Sequence, residues 1–281
     1  MRIRIPRALR ERLRRNRTAR SWDLPGARAP ERRSGWIIGL LQIPLRPLLL
    51  ALTRPHWEGA ENIPAHGPII VCGNHLSPLD ALAYGHLLHS SGAAPRFLAK
   101  EPILRIPVLG HILRSTGQIP VLRGSSRSAD ALAAARAALA RGELLLIFPE
   151  GTYTRDPELW PMQGRLGAAR LALATGAPLL PVACWGTRLL WPVGSPIPHP
   201  GPGRRVQMRV GEPMTVAPRP GEDARAAEER ITAELMAAIA ELLGTLRADT
   251  PPDVLHDPRS DAHRPEIGQP VPGYRAWKQT P

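Results

Sequence analysis

Cysteine is scarce, with only Cys72 and Cys184 among 281 residues. Two cysteines do not make a disulfide framework, and no Cys/His cluster has zinc spacing. Each lies in an apolar, strand-like run and reads as a small buried hydrophobe, so a reducing compartment is the simpler setting. Aromatic residues are 4% of the chain and are not interleaved with the basic ones, which argues against stacking on nucleic acid bases. No Walker-type or dinucleotide-type glycine fingerprint occurs. There is no Gly-x-Ser-x-Gly elbow to present a nucleophilic serine, no repeat at a fixed period, and no secretory signal pattern. Long apolar runs are missing too. The longest candidate, residues 36–52, is broken by Gln42, Pro44, Arg46 and Pro47, whereas a spanning helix needs about 20 mostly apolar residues with no central charge.

Acidic residues are in deficit, 24 against 37 Lys and Arg, for a net charge of +13. Residues 1–34 hold twelve arginines against Glu11, Asp23 and Glu31, a net of +9, so the basicity belongs to a tail rather than to the folded body. A basic tail suits an anionic membrane surface or nucleic acid. The apolar residues that follow favour the membrane. Trp36 would sit at headgroup depth with arginines on anionic lipid, in an interfacial, monotopic segment rather than a spanning one. A buried helix of the soluble core is the competing reading of that segment. The positive-inside tendency puts the body on the cytoplasmic face of the membrane.

Hydrophobic content of 43% is that of a folded protein. The length accommodates one domain of about 200 residues with appendages. The expected division is a basic, disordered tail at 1–34, the apolar segment at 35–56, the folded body at 57–247 and a loose proline-rich tail at 248–281. Within the body, strands are expected at Pro68–Cys72, Arg96–Lys100, Gln118–Arg123, Glu143–Phe148, Pro178–Trp185 and Arg204–Val210. Helices are expected from Ser77 through Leu88, at Pro102–Arg114, Ser126–Arg141, Gly164–Thr175 and Glu222–Arg247. Pro120 favours an edge or a bulge for its strand. Strands alternating with helices imply an α/β fold: a central mixed, mostly parallel sheet flanked by helices, with an N-terminal membrane-associated helical segment.

The chain is organised around Gly73-Asn74-His75-Leu76-Ser77-Pro78-Leu79-Asp80, a turn at the carboxyl end of the first apolar strand. Open α/β sheets place their chemistry at such ends. A neutral imidazole is the usual general base near neutral pH, and a carboxylate on its far nitrogen fixes its tautomer. Asp80, five residues after His75, could fill that role. The same residues also read as a plain helix start, with a serine cap, a proline at the first position and an acid three residues on. Other strand ends carry polar signals as well. Arg123, followed by Gly124, Ser125 and Ser126, could grip a phosphate. Phe148-Pro149-Glu150-Gly151-Thr152 ends a buried strand in an acid beside a glycine, where Gly151 lets backbone approach a ligand closely. Glu150 could orient a substrate hydroxyl or pair with Arg123. Lys100 and Arg155 are further candidate anion partners.

Taken together, Asn74-His75-x-Ser77-x-x-Asp80, Gly117 to Arg123, Phe148-Pro149-Glu150-Gly151-Thr152 and Leu180-Pro181-Val182 resemble the four ordered blocks of the glycerolipid acyltransferases, the lysophosphatidate (1-acylglycerol-3-phosphate) acyltransferases and their relatives. The resemblance covers roughly Trp57 to Glu212. Two departures stand out. Pro120 sits where the family tends to carry bulky apolar or aromatic residues, and Tyr153 and Thr154 separate Thr152 from Arg155. The resemblance implies acyl transfer from an acyl-CoA or acyl carrier protein thioester, used as co-substrate with no other cofactor and no metal, to the free hydroxyl of lysophosphatidate. It implies His75 as base, Asp80 as its orienting partner, and Arg123, Glu150, Gly151 and Thr152, with Lys100 and Arg155, as the grip on the phosphorylated acceptor. The alternatives are another lyso-lipid, glycerol 3-phosphate or another hydroxylated lipid as acceptor. A non-enzymatic membrane- or nucleic-acid-binding protein acting through the arginine tail is the alternative of another class. Membrane lipid is the expected partner and nucleic acid is not.

Overall fold

The computed structural model describes residues 53–258, apart from 65, 94, 101–103, 108, 122–127 and 200–203. Seven strands form one sheet in the order β1-β7-β6-β2-β5-β3-β4. They are β1 (Thr53–Glu58), β2 (Ile69–Gly73), β3 (Pro95–Lys100), β4 (Ile119–Val121), β5 (Leu144–Ile147), β6 (Leu179–Trp185) and β7 (Arg204–Val210). The helices are α1 (Asp80–Ser90), α2 (Leu109–Ser115), α3 (Ser128–Ala140), α4 (Gly167–Thr175), the single turn α5 (Thr187–Leu190) and α6 (Ala224–Arg247). Every neighbouring pair of strands is parallel except β6 and β7. The mixed, mostly parallel sheet expected from the sequence is therefore present.

β2 is the middle strand and is buried along its whole length. That is why it reads as an unbroken apolar run rather than an alternating one: a central parallel strand is covered on both faces. Its side chains still divide by the two-residue period. Ile70 and Cys72 join Leu145, Ile147 and Leu179 under the alanine-rich α3 and α4 and the long α6. Ile69 and Val71 join Leu144, Leu146, Leu180 and Val182 on the opposite face, under Tyr84, Leu87 and Leu88 of α1. α6 starts where the Asp223 carboxylate caps the Ala226 N–H at 2.8 Å. β7 alternates buried and less buried residues, as a half-covered strand should. β4 is an edge strand, which accommodates Pro120 because no ladder donor is needed on its outer side.

Both borders of the folded body differ from expectation. The sheet begins at Thr53 rather than at Trp57, because β1 pairs along its length with β7, from Thr53 opposite Arg204 to Glu58 opposite Arg209. Residues 53–56, assigned above to the membrane segment, thus belong to an edge strand whose Pro55 concealed its pattern. At the other end, Pro251 and Leu255 are buried. Gln163 ties that stretch down, its N–H donating to the His256 carbonyl at 2.9 Å and its side chain to the Leu255 carbonyl at 3.3 Å. The proline-rich tail is therefore packed as far as His256. Residues 1–34, the rest of the apolar segment, Arg123 and 259–281 lie outside the described residues. Among the described residues, no helix is long and apolar enough to cross a membrane.

Candidate active site

Parallel strands send their carboxyl ends to one edge of the sheet. The turns after β2, β5 and β6 therefore meet there, because β2 lies between β5 and β6. This junction is where the Asn74–Asp80 turn, the Phe148–Thr152 turn and the start of α5 come together.

Asn74 locks the first of these turns to β6. Its carboxamide accepts from the Cys184 N–H at 2.8 Å and donates to the Cys184 carbonyl at 3.0 Å. The Tyr84 hydroxyl lies 3.2 Å from the Asn74 Oδ1 and 3.1 Å from the Val182 carbonyl. It also occupies the place of any side chain at Gly73: a Cβ there would stand 2.1 Å from the Tyr84 oxygen. Glycine at 73 is thus a packing requirement of the tyrosine.

The loop then turns back on itself around Asp80, which is fully buried. Asp80 Oδ2 accepts three bonds, from the Leu76 N–H at 2.6 Å, the Ser77 N–H at 2.8 Å and the His75 Nδ1 at 2.9 Å. A carboxylate partner requires the proton of the imidazole to sit on Nδ1, so Nε2 keeps a free lone pair. The Thr187 hydroxyl donates to Asp80 Oδ1 at 2.5 Å. One oxygen of Asp80 therefore meets both the Ser77 N–H at the helix start and the His75 ring. The helix proper begins at Asp80 after a turn at 78–79. Ser77 nevertheless works as a cap, its Oγ accepting the Leu79 N–H at 3.1 Å and donating to the Trp191 carbonyl at 2.7 Å. With its hydroxyl committed and the residue fully buried, Ser77 is not a nucleophile.

The His75 side chain is 17% exposed. Its ring stacks on Phe148 at 4.1 Å between centroids and 9° between planes, and it meets Tyr153 at 4.3 Å. Its backbone is held from the second turn: its N–H donates to Glu150 Oε1 at 3.0 Å, and its carbonyl accepts the Thr154 N–H at 2.8 Å. The Phe-Pro-Glu-Gly turn and the imidazole thus occupy one site.

Glu150 is buried, and its second oxygen accepts the Met162 N–H at 3.1 Å. Both oxygens therefore join backbone segments, which differs from the substrate-facing role considered above. Burial pushes its carboxyl up to about 8; the two backbone bonds oppose this, and the negative charges of Asp80 and Asp156 add to it. Burial and the Asp80 charge also raise the Tyr153 phenol. Gly151 has a left-handed φ of 70°, and a Cβ there would lie 2.7 Å from the Arg165 Nε. It closes the turn against a side chain of this protein. Thr152 is half-buried beside it. Arg155 donates its backbone N–H to the Met162 Sδ at 3.2 Å, while its buried Nε has no partner among the described residues.

Lys100 ends β3 and Val121 ends β4, at the same sheet edge as Gly73. β3 and β4 are two and three strands from β2, so these backbone positions are about 10 Å and about 14 Å across the sheet from it. Arg123 lies just beyond the described end of β4. Among the described residues, no group of three or more His, Cys, Asp or Glu side chains is placed to hold a metal ion. Sequence reading missed Thr187 and the two rings beside the imidazole. The signal for Thr187 was present: Gly186-Thr187 directly follows a buried strand, the position that singled out His75 and Glu150.

A family model described as Acyltransferase matches residues 54–185. The chain is 34% identical over 140 residues to a chloroplastic 1-acyl-sn-glycerol-3-phosphate acyltransferase of Brassica napus, covering 49% of this chain and 39% of the relative. It is 35% identical over 130 residues to the 1-acyl-sn-glycerol-3-phosphate acyltransferase of Borreliella burgdorferi, covering 46% and 50%. The match thus spans half or less of the length of these curated relatives. The crystal structure of the 1-acyl-sn-glycerophosphate acyltransferase PlsC from Thermotoga maritima superposes with a TM-score of 0.57 at 27% identity, covering 74% of this chain and 79% of that one.

Proposed function

We propose that this chain, whose residues 54–185 match the Acyltransferase family model, is a glycerolipid acyltransferase that moves a fatty acyl group from acyl-CoA or acyl carrier protein to the free hydroxyl of lysophosphatidate, giving phosphatidate. The observation that carries this reading is the buried carboxylate on His75 Nδ1, which leaves Nε2 of a partly exposed imidazole to take a proton. Nε2 removes the hydroxyl proton of the acceptor as its oxygen attacks the thioester carbonyl. A tetrahedral adduct forms, the C–S bond breaks, and the imidazolium returns the proton to the departing thiolate. Asp80 stabilises the imidazolium in between. No acyl-enzyme and no further cofactor enter this scheme. Arg123, Lys100 and Arg155 are the proposed partners of the acceptor phosphate.

The surface on which this happens is proposed to be the cytoplasmic face of the cell membrane, where the arginine-rich residues 1–34 meet anionic lipid and the acceptor already lies. The test is an assay of purified protein with radiolabelled acyl-CoA and lysophosphatidate, run beside His75→Ala and beside glycerol 3-phosphate and other lyso-lipids as acceptors. Transfer that depends on His75 and prefers lysophosphatidate supports the reading. Transfer that survives His75→Ala, or no transfer from either thioester, refutes it.

A further inference from the structure

We propose that Thr187 is a positioning residue of the acyl-transfer site, acting through Asp80 on the imidazole of His75. This inference rests on the acyltransferase reading and deepens it. Thr187 is fully buried, and its hydroxyl is the one partner that Asp80 Oδ1 has among the described residues. The other oxygen is already saturated by two backbone N–H groups and the imidazole. The Cys184 thiol is the other side-chain partner of the Thr187 hydroxyl, but a buried carboxylate is the stronger acceptor for its single hydrogen. The threonine therefore pins the carboxylate rotation that aims Oδ2 at Nδ1.

The surroundings make this donor hard to replace. The ionisable groups facing Asp80 are His75 from its own turn, Tyr84 from α1, Glu150 and Tyr153 from the turn after β5, and Cys184 from β6. Of these, only His75 brings a cation. Water does not reach Asp80 to stand in for the hydroxyl, because the carboxylate is wholly enclosed. Asn74 and Ser77 fasten the same turn to Cys184 and Trp191, on either side of Thr187. The β6–α5 segment thus stays in place when the hydroxyl alone is removed.

Thr187→Val deletes the donor and keeps the shape. A carboxylate deprived of it holds a proton more tightly, so the His75–Asp80 pair stays protonated to higher pH. The expected result is a fall in kcat of about tenfold or more with the KM for acyl-CoA within about twofold, since the loss is in the proton-transfer step. The acid limb of the kcat profile moves to higher pH, and Thr187→Ser, which restores the hydroxyl, recovers most of the loss and returns the limb. A readout independent of activity is the downfield NMR signal of the His75 Nδ1 proton, which moves in Thr187→Val and returns in Thr187→Ser. Wild-type kcat, pH limb and proton shift in a folded valine variant overturn the proposal. Equal impairment of the valine and serine variants overturns it too, since the methyl group would then be what matters. If the valine variant does not fold, Thr187→Cys supplies a much weaker donor of serine's size, and activity ranked serine above cysteine is required. Failure of wild-type protein to transfer acyl groups refutes the acyltransferase reading instead, and the NMR comparison still decides whether Thr187 governs the histidine–aspartate pair.

Discussion

Asp80 serves a helix start and an imidazole with the same oxygen, so its charge and its shape can be separated by substitution. Asp80→Asn removes the charge and turns an NH2 group toward a site that supplies only donors. We expect kcat to fall by about 10²-fold or more, against a modest loss of thermal stability. Unchanged activity in a steady-state assay would leave Asp80 as a helix cap alone. Glu150 poses a different question because burial lifts its carboxyl to about 8 from an ordinary 4.5. Between those values the folded protein holds a proton that the unfolded chain has released, so stability falls as pH rises through the window. The slope is at most about 1.4 kcal/mol per pH unit for this one group. Below 4.5 both states are protonated and above 8 neither is, so its contribution is flat there. Glu150→Gln cannot titrate. Its unfolding free energy, measured by denaturant titration from pH 5 to pH 8, should lose that slope while being lower at pH 5, because one oxygen replaces two acceptors for His75 and Met162.

At the scale of the elements, the site depends on β2 ending one atom short of a clash. Gly73→Ala places a methyl 2.1 Å from the Tyr84 hydroxyl and 2.3 Å from its ring carbon. Tyr84 is wholly buried and anchored to Asn74 and Val182, so it cannot yield by a simple rotation. We expect a loss of about 1–3 kcal/mol in chemical denaturation, accompanied by a fall in kcat because the Asn74–Asp80 turn must shift. The same elements show why some of the architecture was readable and some was not. β2, β5 and β6 are central, covered on both faces, and announce themselves as apolar runs. β1 is a half-buried edge strand containing Pro55, and its ladder is made with β7, which is distant in sequence. No local pattern encodes that pairing. The residues after Thr250 look like a solvated tail by composition, yet Pro251 and Leu255 are buried against the body.

For the whole molecule, we expect charge and chemistry to be separable by truncation. The described residues contain the histidine–aspartate pair, and twelve arginines fall at positions 1–34 of the sequence. Removing residues 1–34 should leave kcat on detergent-dispersed substrate within about twofold while weakening sedimentation with anionic vesicles, with a correspondingly smaller response to added salt. A truncated protein that loses kcat in detergent would place part of the active site in that tail. Arg123→Ala should raise the KM for lysophosphatidate by about tenfold, the scale of a charge-assisted contact, and leave the KM for acyl-CoA within about twofold. Equal effects on both substrates would argue against a phosphate contact.

By itself the sequence determined the kinds of group available and the strand ends that carry them: an imidazole with a carboxylate five residues on, an acid after a buried strand, and a single cluster of positive charge. Those are local facts, set by residue type and by spacing along one turn. Only the tertiary structure decided that β2 runs between β5 and β6, so that three turns distant in the chain share one site. It also decided that Glu150 braces backbone while Thr187 reaches Asp80. A hydrogen bond between positions 80 and 187 is a consequence of strand order, and strand order comes from long-range pairing that no short stretch of residues records.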